Sequence, residues 1–123
     1  MSFRSTTLNE LVILADQMKD ATLLTDVVNI FIEQAPLQTE ELARATLRLD
    51  AEMIVFYAHK LKTSCAVVGA DQLCDICLTI EKSALLSMKS IPPLVAKLKT
   101  AISSECERIQ DELKTYKATP GQV

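Results

Sequence analysis

Apolar residues recur at three- and four-residue intervals along nearly the whole of this 123-residue chain, and only two glycines interrupt it. That spacing stacks side chains on one face of an α-helix, whereas a strand needs strict alternation. With no Trp, few aromatic residues and many Leu, Ala, Glu and Lys, the sequence favours helices over a sheet joined by tight turns. The pattern therefore predicts an all-α protein.

Taken in order, Thr6 or Thr7 can cap a short first helix, with Glu10 placed for a capping box from Thr7. Leu8, Leu11, Val12, Ala15 and Met18 form its stripe, which ends near Lys19. Asp20 caps the next segment, where Leu23, Leu24, Val27, Val28, Ile30 and Phe31 make a broad apolar face. Pro36 interrupts it by removing a donor, and Leu42, Ala45 and Leu49 then resume the spacing, with Glu40, Glu41, Arg44 and Arg48 toward water. Residues 20–49 read as one helix bent at Pro36, or as two helices. Asp50 caps a helix running to about Val68, and Gly69 supplies the left-handed residue that ends it. Asp71 begins another, with Leu73, Ile76, Cys77, Ile80 and Ala84 inward. Ser90 to Pro93 reads as a loop, and Leu94, Leu98, Ala101, Ile102, Ile109, Leu113 and Tyr116 carry the last helix to about Lys117. The expected architecture is an antiparallel four-helix bundle with a short extra N-terminal helix packed across one end.

The length suits a single domain, expected over residues 1–118, with 119–123 as a flexible tail. A net charge of -3 gives no general attraction to nucleic acid or to an anionic membrane, so neither is an expected partner. No apolar run approaches the ~20 residues of a membrane span, and the N-terminus lacks a signal-peptide core. A cytoplasmic location is expected, with the four cysteines as reduced thiols.

His59 is the only histidine. At ~100° per residue, Glu52, Val55, Phe56, Lys62, Thr63 and Ala66 share its face, while Ile54, Tyr57, Leu61, Ser64, Cys65 and Val68 form a more continuous apolar surface opposite. The second set should face the core and leave His59 at the surface. Val55 and Phe56 would then be partly exposed hydrophobes one turn before it, the kind of cluster that marks a docking surface, unless they pack on a neighbouring helix. Lys62, one turn after it, can offset the charge of a phosphoryl group, and Lys60 lies to the side.

Ala58-His59-x-Leu61-Lys62, followed by Ser64, Gly69-Ala70, Leu73, Cys77 and Ile80-Glu81, resembles the signature of histidine-containing phosphotransfer (HPt) domains. The likeness extends back through Phe31, Pro36, Leu42, Ala45 and Asp50, so it covers roughly residues 23–85. The resemblance implies that His59 is the phosphoacceptor, that Lys62 supports it, and that Glu81 is the polar residue the family places near the histidine. Receiver docking would fall to Val55, Phe56, Lys60, Thr63 and Ala66. The implied partners are response-regulator receiver domains and a hybrid sensor kinase, to a carrier that is stand-alone and monomeric. No cofactor is implied on this chain, since magnesium would belong to the receiver. The sequence has no Gly-rich nucleotide loop, so no kinase activity of its own is expected.

One departure stands out, because the family usually has glycine where this chain has Thr63. On the His59 face its branched side chain can crowd a receiver, or its hydroxyl can bond the phosphoryl oxygens. Thr63 also favours a second reading, an HPt-like docking module that has lost phosphotransfer. A third reading takes Cys74-x-x-Cys77, Cys65, Cys106 and His59 as a metal or thiol site. The spacing lies within a helix and Cys65 points away from His59, so packed thiols are favoured over a site.

Overall fold

The computed structural model describes residues 22–118. The expected N-terminal helix, the Asp20 cap and the tail at 119–123 lie outside these residues. Within them are four α-helices: α1 (Thr22–Leu47), α2 (Ala51–Val67), α3 (Asp71–Leu86) and α4 (Ile91–Ala118). Connections of a few residues force successive helices to reverse direction. The helices close a ring, α1 packing on α2 and α4, and α3 on the same two. The result is the antiparallel four-helix bundle that the periodicity predicts.

α1 is continuous through Pro36. The proline is exposed, and the buried face around it holds the helix together despite the missing donor. Leu24, Val28, Phe31, Ala35, Leu42 and Ala45 build that face, with Thr39 filling the gap between Ala35 and Leu42. A buried threonine needs a partner, and its hydroxyl donates to the Ala35 carbonyl at 2.8 Å. Thr46 does the same to Leu42, also at 2.8 Å.

Three expectations need correction. Ile30 is exposed, because it falls off the edge of the α1 stripe onto the seam with α2. Leu49 is neither helical nor buried: it sits at φ 56° in the turn after α1. There Leu49 N–H donates to Thr46 and Asp50 N–H to Ala45, the bonding of a left-handed helix end. Gly69 closes α2 with the same pattern at φ 69°, as expected, through bonds to Ala66 and Cys65. At Leu49 the Cβ makes that geometry unfavourable by about 1–2 kcal/mol, which is why no glycine-type signal pointed to it. Finally, Pro92 and Pro93 are in the first turn of α4 instead of a loop, where N–H groups lack helical partners anyway. Ile91 is fully buried there, after a single 3-10 turn at Met88–Ser90.

α2 carries the central stripe. Ile54, Ala58, Leu61, Cys65 and Val68 are all fully buried. Asp50 caps its start, Oδ1 accepting from Met53 N–H at 3.2 Å. On α3, Leu73, Ile76, Cys77, Ile80 and Ala84 are buried as the spacing predicts. The core fixes the rotation of α2 and α3 against each other, and thereby decides which polar side chains meet across their seam.

Candidate functional site

Burial of Ala58 and Leu61 on either side turns His59 outward, and its side chain is 64% exposed. The ring is not free to wander. Its Nδ1 lies 3.3 Å from Glu81 Oε1, across the α2–α3 seam. Lys62, one turn along from His59, places Nζ 3.2 Å from the same oxygen and 3.3 Å from Oε2. Glu81 is on the exposed side of α3, next to buried Ile80, and only 16% of its side chain reaches solvent. A carboxylate so nearly buried is held by paired charge. Its Oε1 is buried without a well-directed hydrogen bond, although both cationic partners are within ion-pair distance.

Sequence spacing brought His59 and Lys62 together, and the fold adds Glu81 to them as the resemblance implied. One expectation changes: the Lys62 ammonium is paired with Glu81, so it does not stand beside the ring as an uncommitted charge.

On the other side of His59 lies the seam between α1 and α2. A hollow of about 530 Å³ there is lined by His59, Val55, Phe56, Lys60, Thr63 and two residues beyond the expected set, Ser64 and Gln38. Phe56 is exposed, stacks edge-on against Tyr57 at 5.1 Å and has Lys60 Nζ over its ring at 5.8 Å. Val55 is half-buried and packs on the core, so of the two hydrophobes Phe56 is the one presented outward. Ala66 is exposed on α2, outside the lining of this hollow. Thr63 is exposed and its hydroxyl donates to the His59 carbonyl at 3.1 Å. That commits its only proton to the backbone and leaves the methyl group as its outward contribution.

Ser64 was expected opposite His59, facing the core. It is half-buried in the same hollow as His59, because α1 closes the seam and folds that flank of α2 into the groove wall. Gln38 carried no sequence signal. It comes from the middle of α1, and Ser64 Oγ approaches its Oε1 at 3.5 Å.

The cysteines behave as packing. Cys65 and Cys77 are fully buried, while Cys74 and Cys106 are half-buried. A hydrogen bond with Cys77, then burial, push the Cys65 thiol up, and burial does the same to Cys74 and Cys106. Protonated thiols of this kind are poor nucleophiles and poor metal ligands. Among the described residues no group of three or more His, Cys, Asp and Glu side chains is arranged to hold a metal ion. No helix among them is long and apolar enough to cross a membrane.

Comparison with curated proteins and with solved structures found no match. A family profile does match: that of the Hpt domain, over residues 26–118, a span that takes in α2, α3 and the whole site just described. With most of its length matched, the chain belongs to the Hpt domain family, whose members are phosphocarrier modules that meet receiver domains in two-component phosphorelays.

Proposed function

We propose that this protein carries a phosphoryl group on His59, taking it from a receiver-domain aspartate and passing it to another receiver. The observation that carries this reading is the clamp on one side of an exposed ring: Nδ1 at 3.3 Å from a nearly buried carboxylate. If Nδ1 holds the ring proton toward Glu81, the lone pair is left on Nε2, on the far side of the ring. Nε2 then attacks the phosphorus of the aspartyl phosphate in line, the P–O bond to the aspartate breaks, and that carboxylate leaves with the bonding pair. The Nδ1 proton stays on the ring, where Glu81 balances the imidazolium charge. The reverse sequence with a second receiver returns the site to its starting state.

In this reading Lys62 keeps Glu81 in place and offers positive charge to the phosphoryl oxygens. Phe56, Val55, Lys60, Thr63 and Ala66 form the docking surface. Magnesium belongs to the receiver, and the carrier works as a cytoplasmic monomer downstream of a hybrid sensor kinase, without kinase activity of its own.

The test is direct. Incubation with a phosphorylated receiver should give acid-labile, base-stable label on the wild-type protein and none on His59→Gln. Absence of label, or label that persists in His59→Gln, overturns the reading. Thr63 supports the alternative, a docking module without transfer, because its methyl group adds bulk on the His59 face. Tight receiver binding with no label would favour that alternative.

A further inference from the structure

The groove beside His59 continues along the seam between α1 and α2. A second hollow of about 220 Å³ follows the first, walled by Val27, Ile30, Phe31 and Val67. Ile30 and Val67 are exposed on its walls, as Phe56 is on the first. Gln38 and Ser64 line both hollows, so a polar pair sits at the join of two apolar stretches.

The hydrogen bonding of that pair is incomplete. Ser64 has one hydroxyl proton and two acceptors in reach, the Lys60 carbonyl at 3.3 Å and Gln38 Oε1 at 3.5 Å. Whichever acceptor takes the proton, Gln38 retains amide donors with no protein partner. Among the described residues nothing else hydrogen-bonds to it. In the free protein water satisfies those donors. A partner that covers the apolar walls expels that water, and a donor left unpaired then weakens binding by roughly tenfold to a hundredfold. An acceptor presented at the same point avoids the loss.

We propose that Gln38 determines which receiver domains dock beside His59, by requiring a hydrogen-bond acceptor on the receiver surface that covers the join. The occupant follows from continuity with the His59 hollow, so the proposal rests on the receiver-docking reading above. Discrimination here works by rejection, since a receiver with an apolar side chain at that point leaves the Gln38 amide buried and unmatched. Gln38 acts on docking and not on the reacting atoms.

Titration calorimetry of a panel of isolated receiver domains against the full chain tests this, with phosphotransfer to His59 followed in parallel. In wild type the receivers should separate into tight and weak binders. Gln38→Leu should compress the ratio of their Kd values by about tenfold. Gln38→Glu, the same shape with the donors removed, should compress it too, and circular dichroism confirms that both variants are folded. Kd ratios within roughly twofold of wild type in both variants, including a uniform weakening of every receiver, overturn the assignment. A shifted ratio in a protein that never takes label on His59 would sink the carrier reading and leave Gln38 as the discriminator of a docking module.

Discussion

Two carboxylates among the described residues keep one buried oxygen without a hydrogen bond, Glu81 Oε1 and Glu112 Oε2, and the clusters around them are built in opposite ways. Glu112 lies on one helix with its partner. Arg108 on α4 reaches Glu105 one turn before it, with Nε at 2.6 Å, and Glu112 one turn after it, with NH1 at 2.7 Å. All three side chains are about one-fifth exposed. Burial works against the Arg108 charge, but the bonds and charges of Glu105 and Glu112 outweigh it and hold the guanidinium above its usual value. Every member of that cluster faces another member.

Glu81 instead draws its partners from a different helix, 19 residues away in the case of Lys62. The ring it holds is mostly exposed, with one nitrogen turned inward and the rest open to a partner. A closed local cluster of charge stabilises a helix, whereas a cluster split across a seam can hold one reactive group while leaving it accessible. The difference lies in topology, not in residue type.

Variants can break this comparison, beginning with the largest effect. His59→Gln should abolish phosphoryl label altogether while leaving the urea unfolding midpoint nearly unchanged, because the side chain is exposed. Glu81→Ala should slow transfer from a phosphorylated receiver by about 10- to 100-fold, the scale expected when a reacting group loses its positioning partner. If single-turnover rates in Glu81→Ala match wild type, the functional half of the comparison fails. Arg108→Ala should leave transfer within a small factor but destabilise the bundle by about 1–2 kcal/mol, discounted for partial exposure, since two half-buried carboxylates lose their counter-charge. Urea melts of that variant that overlay wild type would show the closed cluster to be ornamental. Thr63→Gly is the smallest change. It should raise receiver transfer a few-fold by removing the methyl group, at a few tenths of a kcal/mol in helix propensity. Unchanged rates would remove the steric role of Thr63.

Much of the fold was legible because its causes are local. Asp50 caps α2 through a residue three positions away, and Gly69 ends it by adopting a left-handed conformation open to few other residues. The α3 stripe is plain arithmetic at 3.6 residues per turn. Where the local signal was ambiguous, the reading went astray. Leu49 looks like the next member of a helical stripe, and only the packing of α1 against its turn puts a leucine at φ 56°. Pro92 and Pro93 look like a loop because proline breaks helix interiors, yet in a first turn it removes nothing the helix uses.

The site divides along the same line. Alone, the sequence determined that His59 and Lys62 share one face of an amphipathic helix and that the buried stripe beneath must turn them outward, since both follow from helical periodicity and the burial of apolar area. The tertiary structure decided what stands on either side of the ring. The packing angle of α3 brings Glu81 to Nδ1, and the packing of α1 brings Gln38 and Ser64 into one groove with His59. Distances between side chains on different helices depend on how three cores interlock, and one-dimensional spacing carries no record of that.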